Sequence, residues 1–303
     1  MTPTRWEAAL PSHVVIREVG PRDGFQAEDV AIPTEHKVKA IEDLAKAGIS
    51  HIQAVSFVHP KRVPQMQDAE AVLWALQKQP GVTYSGLALN LAGVKRAVAT
   101  QVDALEISVS ASDAHSRKNT GMGRDLAVEQ AADMADMARE AGLEVIAGVQ
   151  CAFGCVFEGA IPEKQVLGMV EAYLALSPQA LCIADTTGMA GPLQVQELMT
   201  QVLTLSGDLP VFLHLHDTRG LGLVNMTAAI MSGIHHFDTS CGGMGGCPFI
   251  PGAAGNVPTE EALYLMERLG IATGVDLSQV SACSRSLEQF LRRVLPGRIH
   301  RLN

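Results

Sequence analysis

No stretch of this chain approaches the roughly 18 consecutive apolar residues of a membrane-spanning helix, so a transmembrane protein is not expected. The opening, MTPTRWEAALPSHVV, has neither the apolar core of a secretory signal nor the Arg- and Ser-rich composition of a transit peptide, and leads us to expect the cytoplasm. Positive charge is also scarce: 23 Lys and Arg stand against 32 Asp and Glu, a net charge of −9. A nucleic-acid binder needs a dominant basic face to displace phosphate counterions, so this balance argues against one, and any anionic ligand has to be met by local cations. Cysteine is too sparse for a disulfide scaffold, with six in 303 residues. The string CAFGC at 151–155 lacks both the second pair of a metal site and the two-residue spacing of a redox motif. The cysteines therefore read mostly as reduced thiols.

What the chain does have is an ordinary globular composition, 47% hydrophobic and 18% charged, and enough length for a large core. Short strand-like runs alternate with longer runs of helical periodicity. The strand candidates are VVIREV (14–19), HIQAVSF (51–57), TYSGLAL (83–89), DALEISVS (103–110), LEVIAGVQ (143–150), ALCIAD (180–185), VFLHLH (211–216) and HHFDTS (235–240). Between them lie segments such as TEHKVKAIEDLAKAG and DLAVEQAADMADMAREAG, each closed by a glycine suited to a left-handed C-terminal cap. Eight strand-helix units without a linker predict a single α/β domain, a (β/α)8 TIM barrel over about 14–270, with an additional C-terminal helix in the extension at 271–303. A doubly wound open sheet is the structural alternative.

The string HLHD at 214–217 focuses the search for chemistry. Alternate side chains of a strand share a face, so His214 and His216 project together. Such a pair is a metal clamp or two polar residues beside a core strand, and the fold hypothesis separates these, because barrel active sites lie at the C-terminal ends of the strands. His214 and His216 fall at that end of the seventh strand, whereas His235 and His236 open the eighth at the opposite rim and read as structural. Strand 1 ends in REVGPRDGFQ and strand 8 runs into CGGMGGCPFIPGAAGN. Closure makes strands 7, 8 and 1 neighbours, so Asp23, His214, His216 and Asn256 can converge. Two imidazoles, a carboxylate and an amide oxygen suit an octahedral divalent cation, Mg²⁺ or Mn²⁺, better than a closed thiolate zinc site. Arg22 stands beside them as a fixed cation, and Cys247 sits in a Gly-rich loop, where a small buried thiol is the alternative. That loop lacks the Gly-Lys-Ser/Thr ending of a phosphate-binding P-loop.

The strings REVGPRDGFQ, SFVHPKRVPQM, CAFGCVFEG, ADTTG, HLHDTRG and GGMGGCPFIPGAAGNVPTEE, in order from Val14 to Gly270, closely resemble the 3-hydroxy-3-methylglutaryl-CoA lyase family. The resemblance implies a (β/α)8 barrel and a metal-dependent retro-Claisen cleavage of a 3-hydroxy-acyl-CoA to acetyl-CoA and a keto acid such as acetoacetate. It places Asp23, His214, His216 and Asn256 at the metal, makes Arg22 the enolate-stabilising arginine and gives Cys247 a part in proton transfer. His214 or Asp23 would take the hydroxyl proton. Asp185, in ADTTG, matches a further acidic position of the family site, with a salt bridge at the rim as the other reading. An acyl-CoA partner brings several negative charges, for which Lys61, Arg62, Arg117 and Lys118 are candidate contacts or else solvated loop charges. The chain departs from the family where IQA replaces IEA, so that Gln53 stands for a glutamate and the site loses one negative charge, and where strand 3 ends LALN, at Asn90. Gln53 and Asn90 are therefore read as specificity residues. Two other functions stay open: a Claisen-type condensing synthase like the isopropylmalate synthases, and a non-catalytic acyl-CoA-binding barrel. The sequence also leaves room for a homo-oligomer.

Overall fold

The computed structural model describes residues 10–246 and 254–302. Its centre is a closed barrel of eight parallel strands in sequence order: β1 (Val15–Glu18), β2 (His51–Ser56), β3 (Thr83–Ala88), β4 (Ala104–Ser110), β5 (Glu144–Gln150), β6 (Ala180–Asp185), β7 (Val211–Leu215) and β8 (His236–Thr239). The register Val15↔His236 to Glu18↔Thr239 joins β8 to β1 and removes both sheet edges. Each sequence-predicted strand coincides with one of these to within a residue or two, and the open-sheet alternative is not what forms. Helices α1 (Thr34–Lys46), α2 (Ala69–Ala75), α3 (Leu91–Val98), α4 (Asp113–Thr120), α5 (Arg124–Glu140), α6 (Glu163–Leu174), α7 (Pro192–Ser206), α8 (Gly222–Met231) and α9 (Thr259–Leu269) fill the outer ring. The expected extra helix is α10 (Leu277–Leu291), which meets α1 and α9, with Phe290 stacked 4.2 Å from His36 of α1.

Period-2 alternation sorts the strand residues between two cores. On β4, Leu105, Ile107 and Val109 face outward into the large cluster under the helices, while Ala104, Glu106 and Ser108 point into the barrel. The interior begins with an apolar plug of Ala104, Ile146, Ala180, Cys182 and Phe212, against which Val15 packs. Arg17 lies above it, its guanidinium 4.4 Å from the centre of the Phe212 ring. The interior thus changes from apolar to charged toward the C-terminal ends of the strands, and the charged layer carries the cleft.

Candidate active site

Three loops at the C-terminal rim assemble the site. After β1 the chain tightens into a π-helical turn, Gly20–Gly24, that carries Arg22 and Asp23; such turns are rare and concentrate at functional positions. Glycine is required there by close approach, since a β-carbon on Gly24 would lie 2.8 Å from Cβ of Met244. Asn256 returns on the loop after β8 and pairs with the end of β7 through the bridge His216↔Asn256 and the bond from the Asp217 amide to the Gly255 carbonyl, 2.9 Å. Gly245, at φ +116, lies under it, where any β-carbon would strike Nδ2 of Asn256 at 2.5 Å.

The four expected ligands come together. Asp23, His214 and His216 are buried and offer ligand atoms all within 4.8 Å of one another. The two imidazoles face each other with Nε2 to Nε2 at 3.0 Å, and Asp23 Oδ2 lies 3.6 Å from His216 Nε2. Asn256 Nδ2 donates to Asp23 Oδ2 at 2.8 Å and to the Met244 carbonyl at 3.0 Å, which fixes its amide orientation. Its Oδ1 is then a buried acceptor without a partner among the described residues. A buried, unpartnered oxygen on the residue that bonds Asp23, together with the two imidazoles and the carboxylate, fits a divalent cation. Burial pushes the Asp23 carboxyl up, but Arg22, the contact with His216 and the field of His214 outweigh it and hold the group well below the usual carboxylate range. Behind His214, Nδ1 meets Asp238 Oδ2 at 3.1 Å, a carboxylate-histidine pairing that orients a metal-binding ring.

Three charged residues of this site were not singled out from the sequence. Arg17 clamps both oxygens of Asp238 at 2.7 Å and reaches Glu106 Oε2 at 2.9 Å, all of them buried. Gln53, fully buried, donates from Nε2 to Glu106 Oε2 at 2.8 Å and accepts the Arg22 Nε proton on Oε1 at 2.5 Å. Arg22 also donates from Nη1 to Asp23 Oδ1 at 2.5 Å, closing a ring through Gln53, Glu106, Arg17, Asp238, His214, His216 and Asp23. The lost charge at Gln53 is therefore only part of the picture, because Glu106 brings a carboxylate to the next hydrogen bond. Its sequence signal was the polar half of the alternation in ALEISVS, which resembles a solvent face until barrel closure turns it inward.

A cleft of about 1110 Å³ opens above this ring, lined by Arg22, Asp23, His214 and His216 and, deeper, by Leu87, Glu106, Ser108 and Cys182. Asn90 lies on its wall and caps α3 by accepting the Gly93 amide at 2.9 Å. Arg62, Arg117 and Lys118 line the mouth. Lys118 sits 4.1 Å from the centre of the Phe157 ring, and Arg117 pairs with Asp113 one turn away on α4. Lys61 is exposed and outside the lining, so it stands apart from the other three. Asp185 makes neither a rim salt bridge nor a wall of the cleft. Its two oxygens accept the amides of Met189 (2.8 Å) and Ala190 (3.1 Å), and burial nevertheless raises its proton affinity. Cys247 lies outside the described residues.

The HMGL-like family model matches residues 13–287. Hydroxymethylglutaryl-CoA lyase of Bacillus subtilis is 37% identical over 288 residues, 95% of this chain and 96% of that protein. The crystal structure of the B. subtilis HMG-CoA lyase superposes with a TM-score of 0.94 at 36% identity, covering 97% of this chain and 98% of that one. An HMG-CoA lyase from Acinetobacter baumannii, solved in complex with coenzyme A and 3-methylmalate, gives 0.92 at 37% identity, with 99% and 96% covered. Sequence and fold agree along nearly the whole chain, which belongs to the HMGL-like family.

Proposed function

We propose that this chain is a carbon-carbon lyase that cleaves a 3-hydroxy-acyl-CoA, 3-hydroxy-3-methylglutaryl-CoA or a close analogue, into acetyl-CoA and a keto acid. The observation that carries the reading is the buried cluster of Asp23, His214 and His216, with Arg22 on Asp23 and an orphaned Oδ1 on Asn256, which also bonds Asp23. Asp23, His214, His216 and Asn256 would hold Mg²⁺ or Mn²⁺, which when bound would lower the pKa of a coordinated hydroxyl. His214 and Asp23 both border the position of that hydroxyl. Arg22 keeps Asp23 ionised and a poor base, whereas Asp238 orients the His214 ring from Nδ1, so we assign the proton to His214. Because Nε2 carries one lone pair, His214 would act as the base only when that lone pair is not given to the cation.

Scission of the carbon-carbon bond sends an electron pair into the thioester. Arg22 has Nε and Nη1 committed to Gln53 and Asp23, which leaves Nη2 to donate to the developing enolate oxygen. Cys247 is the proposed acid that protonates the enolate carbon, a role resting on its match to the family pattern. Asp185 anchors the loop after β6 through two amides and acts on the site through it. Arg62, Arg117 and Lys118 are proposed to meet the phosphates of coenzyme A, with Lys61 a more distant cation, and Gln53 and Asn90 to select the acyl group. One catalytic domain spans the chain, and five free, buried thiols among the described cysteines suit a reducing cytoplasm. No helix of the described residues is long and apolar enough to cross a membrane.

The test is a mass-spectrometric screen of 3-hydroxy-acyl-CoA thioesters for release of acetyl-CoA, with and without chelator. Cleavage of at least one thioester that chelation abolishes and Mg²⁺ or Mn²⁺ restores is expected. Equal turnover by metal-stripped protein would sink the mechanism, and condensation without cleavage would move the chain to the synthases.

A further inference from the structure

We propose that Glu106 is a positioning residue: it fixes the side-chain amide of Gln53 and, through that amide, the direction in which Arg22 points. The inference rests on the role proposed for Arg22 above. Arg22 can only donate and an ionised Glu106 can only accept, so the amide between them has one workable orientation, Oε1 toward Arg22 Nε and Nε2 toward Glu106 Oε2. Turning it over would set donor against donor and acceptor against acceptor. Without Glu106 the Nε2 end of the amide is no longer held, only the clash at Arg22 opposes reversal, and the amide can turn aside and leave Arg22 without its acceptor at Nε.

What Glu106 passes on is orientation rather than charge. Arg17 lies 2.9 Å from the same oxygen and neutralises it, while Ser108 donates to Oε1 at 2.8 Å and pins the other end of the carboxylate. Arg17 keeps both bonds to Asp238 if Glu106 is removed, so no buried cation is stranded. The amide of a glutamine can imitate the bonds of Glu106, its oxygen accepting from Gln53 and Arg17 and its nitrogen donating to Ser108. A leucine cannot.

Four variants distinguish the relay from a packing role. Glu106→Leu should lower kcat by about 10–100-fold, the cost of misplacing a charge-stabilising group by about 1 Å, with KM little changed. Glu106→Gln should stay within about threefold of the parent. Gln53→Leu should match Glu106→Leu, and the double variant should be no slower than Gln53→Leu, because a residue acting only through Gln53 has nothing left to act on. Additive losses, or a Glu106→Leu protein as fast as the parent, would overturn the proposal. A second measurement needs no turnover: the Arg22 Nε–H resonance, identified by its loss in Arg22→Lys, should exchange slowly with water in the unaltered protein, quickly in Glu106→Leu and slowly again in Glu106→Gln. Fast exchange in the unaltered protein would also overturn the relay, even where a variant fails to fold. Should no thioester be cleaved, the lyase reading fails while the exchange rates still decide the relay.

Discussion

At the scale of single residues the most informative atom is Asn256 Oδ1, because its partner nitrogen is already committed twice. An amide with free donors could turn to give its oxygen a partner; this one is held by both bonds from Nδ2, and its oxygen stays buried and unpartnered beside a residue of the Asp23, His214 and His216 cluster. Asn256→Ala should therefore weaken Mn²⁺ binding by about 10–100-fold, the range seen when a supporting or ligating group is lost from a metal site. Titration of Mn²⁺ by its paramagnetic signal measures this directly. An unchanged titration would remove Asn256 from the cation and leave it as a clasp between the β8 loop and Asp23.

At the scale of elements, the charged layer inside the barrel exists because β5 makes room for it. Ser108 pairs with Gly148 across the β4–β5 register, and a β-carbon on Gly148 would lie 1.9 Å from Ser108 Oγ and 3.1 Å from Glu106 Oε1. Gly148→Ala should cost about 1–3 kcal/mol, the usual penalty of overpacking. Adding Ser108→Ala should recover part of it, since the nearest clash is with the hydroxyl. Paired urea melts check both, and equal stability of Gly148→Ala and the parent would mean that the two strands part freely here. The same packing explains what could be read in advance. The eight strands were legible because each carries an apolar outward face at period 2, and His214, His216, Asp23, Asn256 and Arg22 were legible because they lie in the last residues of a strand or in the loops beyond it, where barrel chemistry gathers. Arg17, Glu106 and Asp238 were not, since they lie within strands and only closure brings them together across gaps of up to 221 residues. Gln53 was noticed as a lost charge, but the carboxylate beside it belongs to another strand.

For the molecule as a whole, two sets of buried groups pull its stability in opposite directions with pH. Burial pushes the carboxyls of Glu18 and Glu260 up to about 7, from an ordinary 4.5 in the unfolded chain. Between those values the folded chain holds protons that the unfolded chain has lost, so their contribution falls as pH rises through that window. Burial holds His115 and His236 down at about 4, against 6.5 when unfolded. There the unfolded chain takes up the extra protons, and this contribution falls as pH drops from 6.5 toward 4. The two pairs oppose each other between pH 4.5 and 6.5. Below the ordinary range of Asp, protonation of Asp23 and Asp238 adds a steeper loss, because both are held well down in the fold against the opposing effect of burial. Glu260→Gln removes one carboxylate from the balance, so the variant should gain on the parent by about 2–3 kcal/mol between about pH 5.5 and about pH 8. Glu260 accepts from the Gly242 amide and from Ser284, and the amide of glutamine satisfies these less well. That offset is the same at every pH and drops out of the comparison, so the slope alone is diagnostic. Urea melts of the two proteins at both pH values measure it, and parallel profiles would show that Glu260 is ionised in the fold throughout.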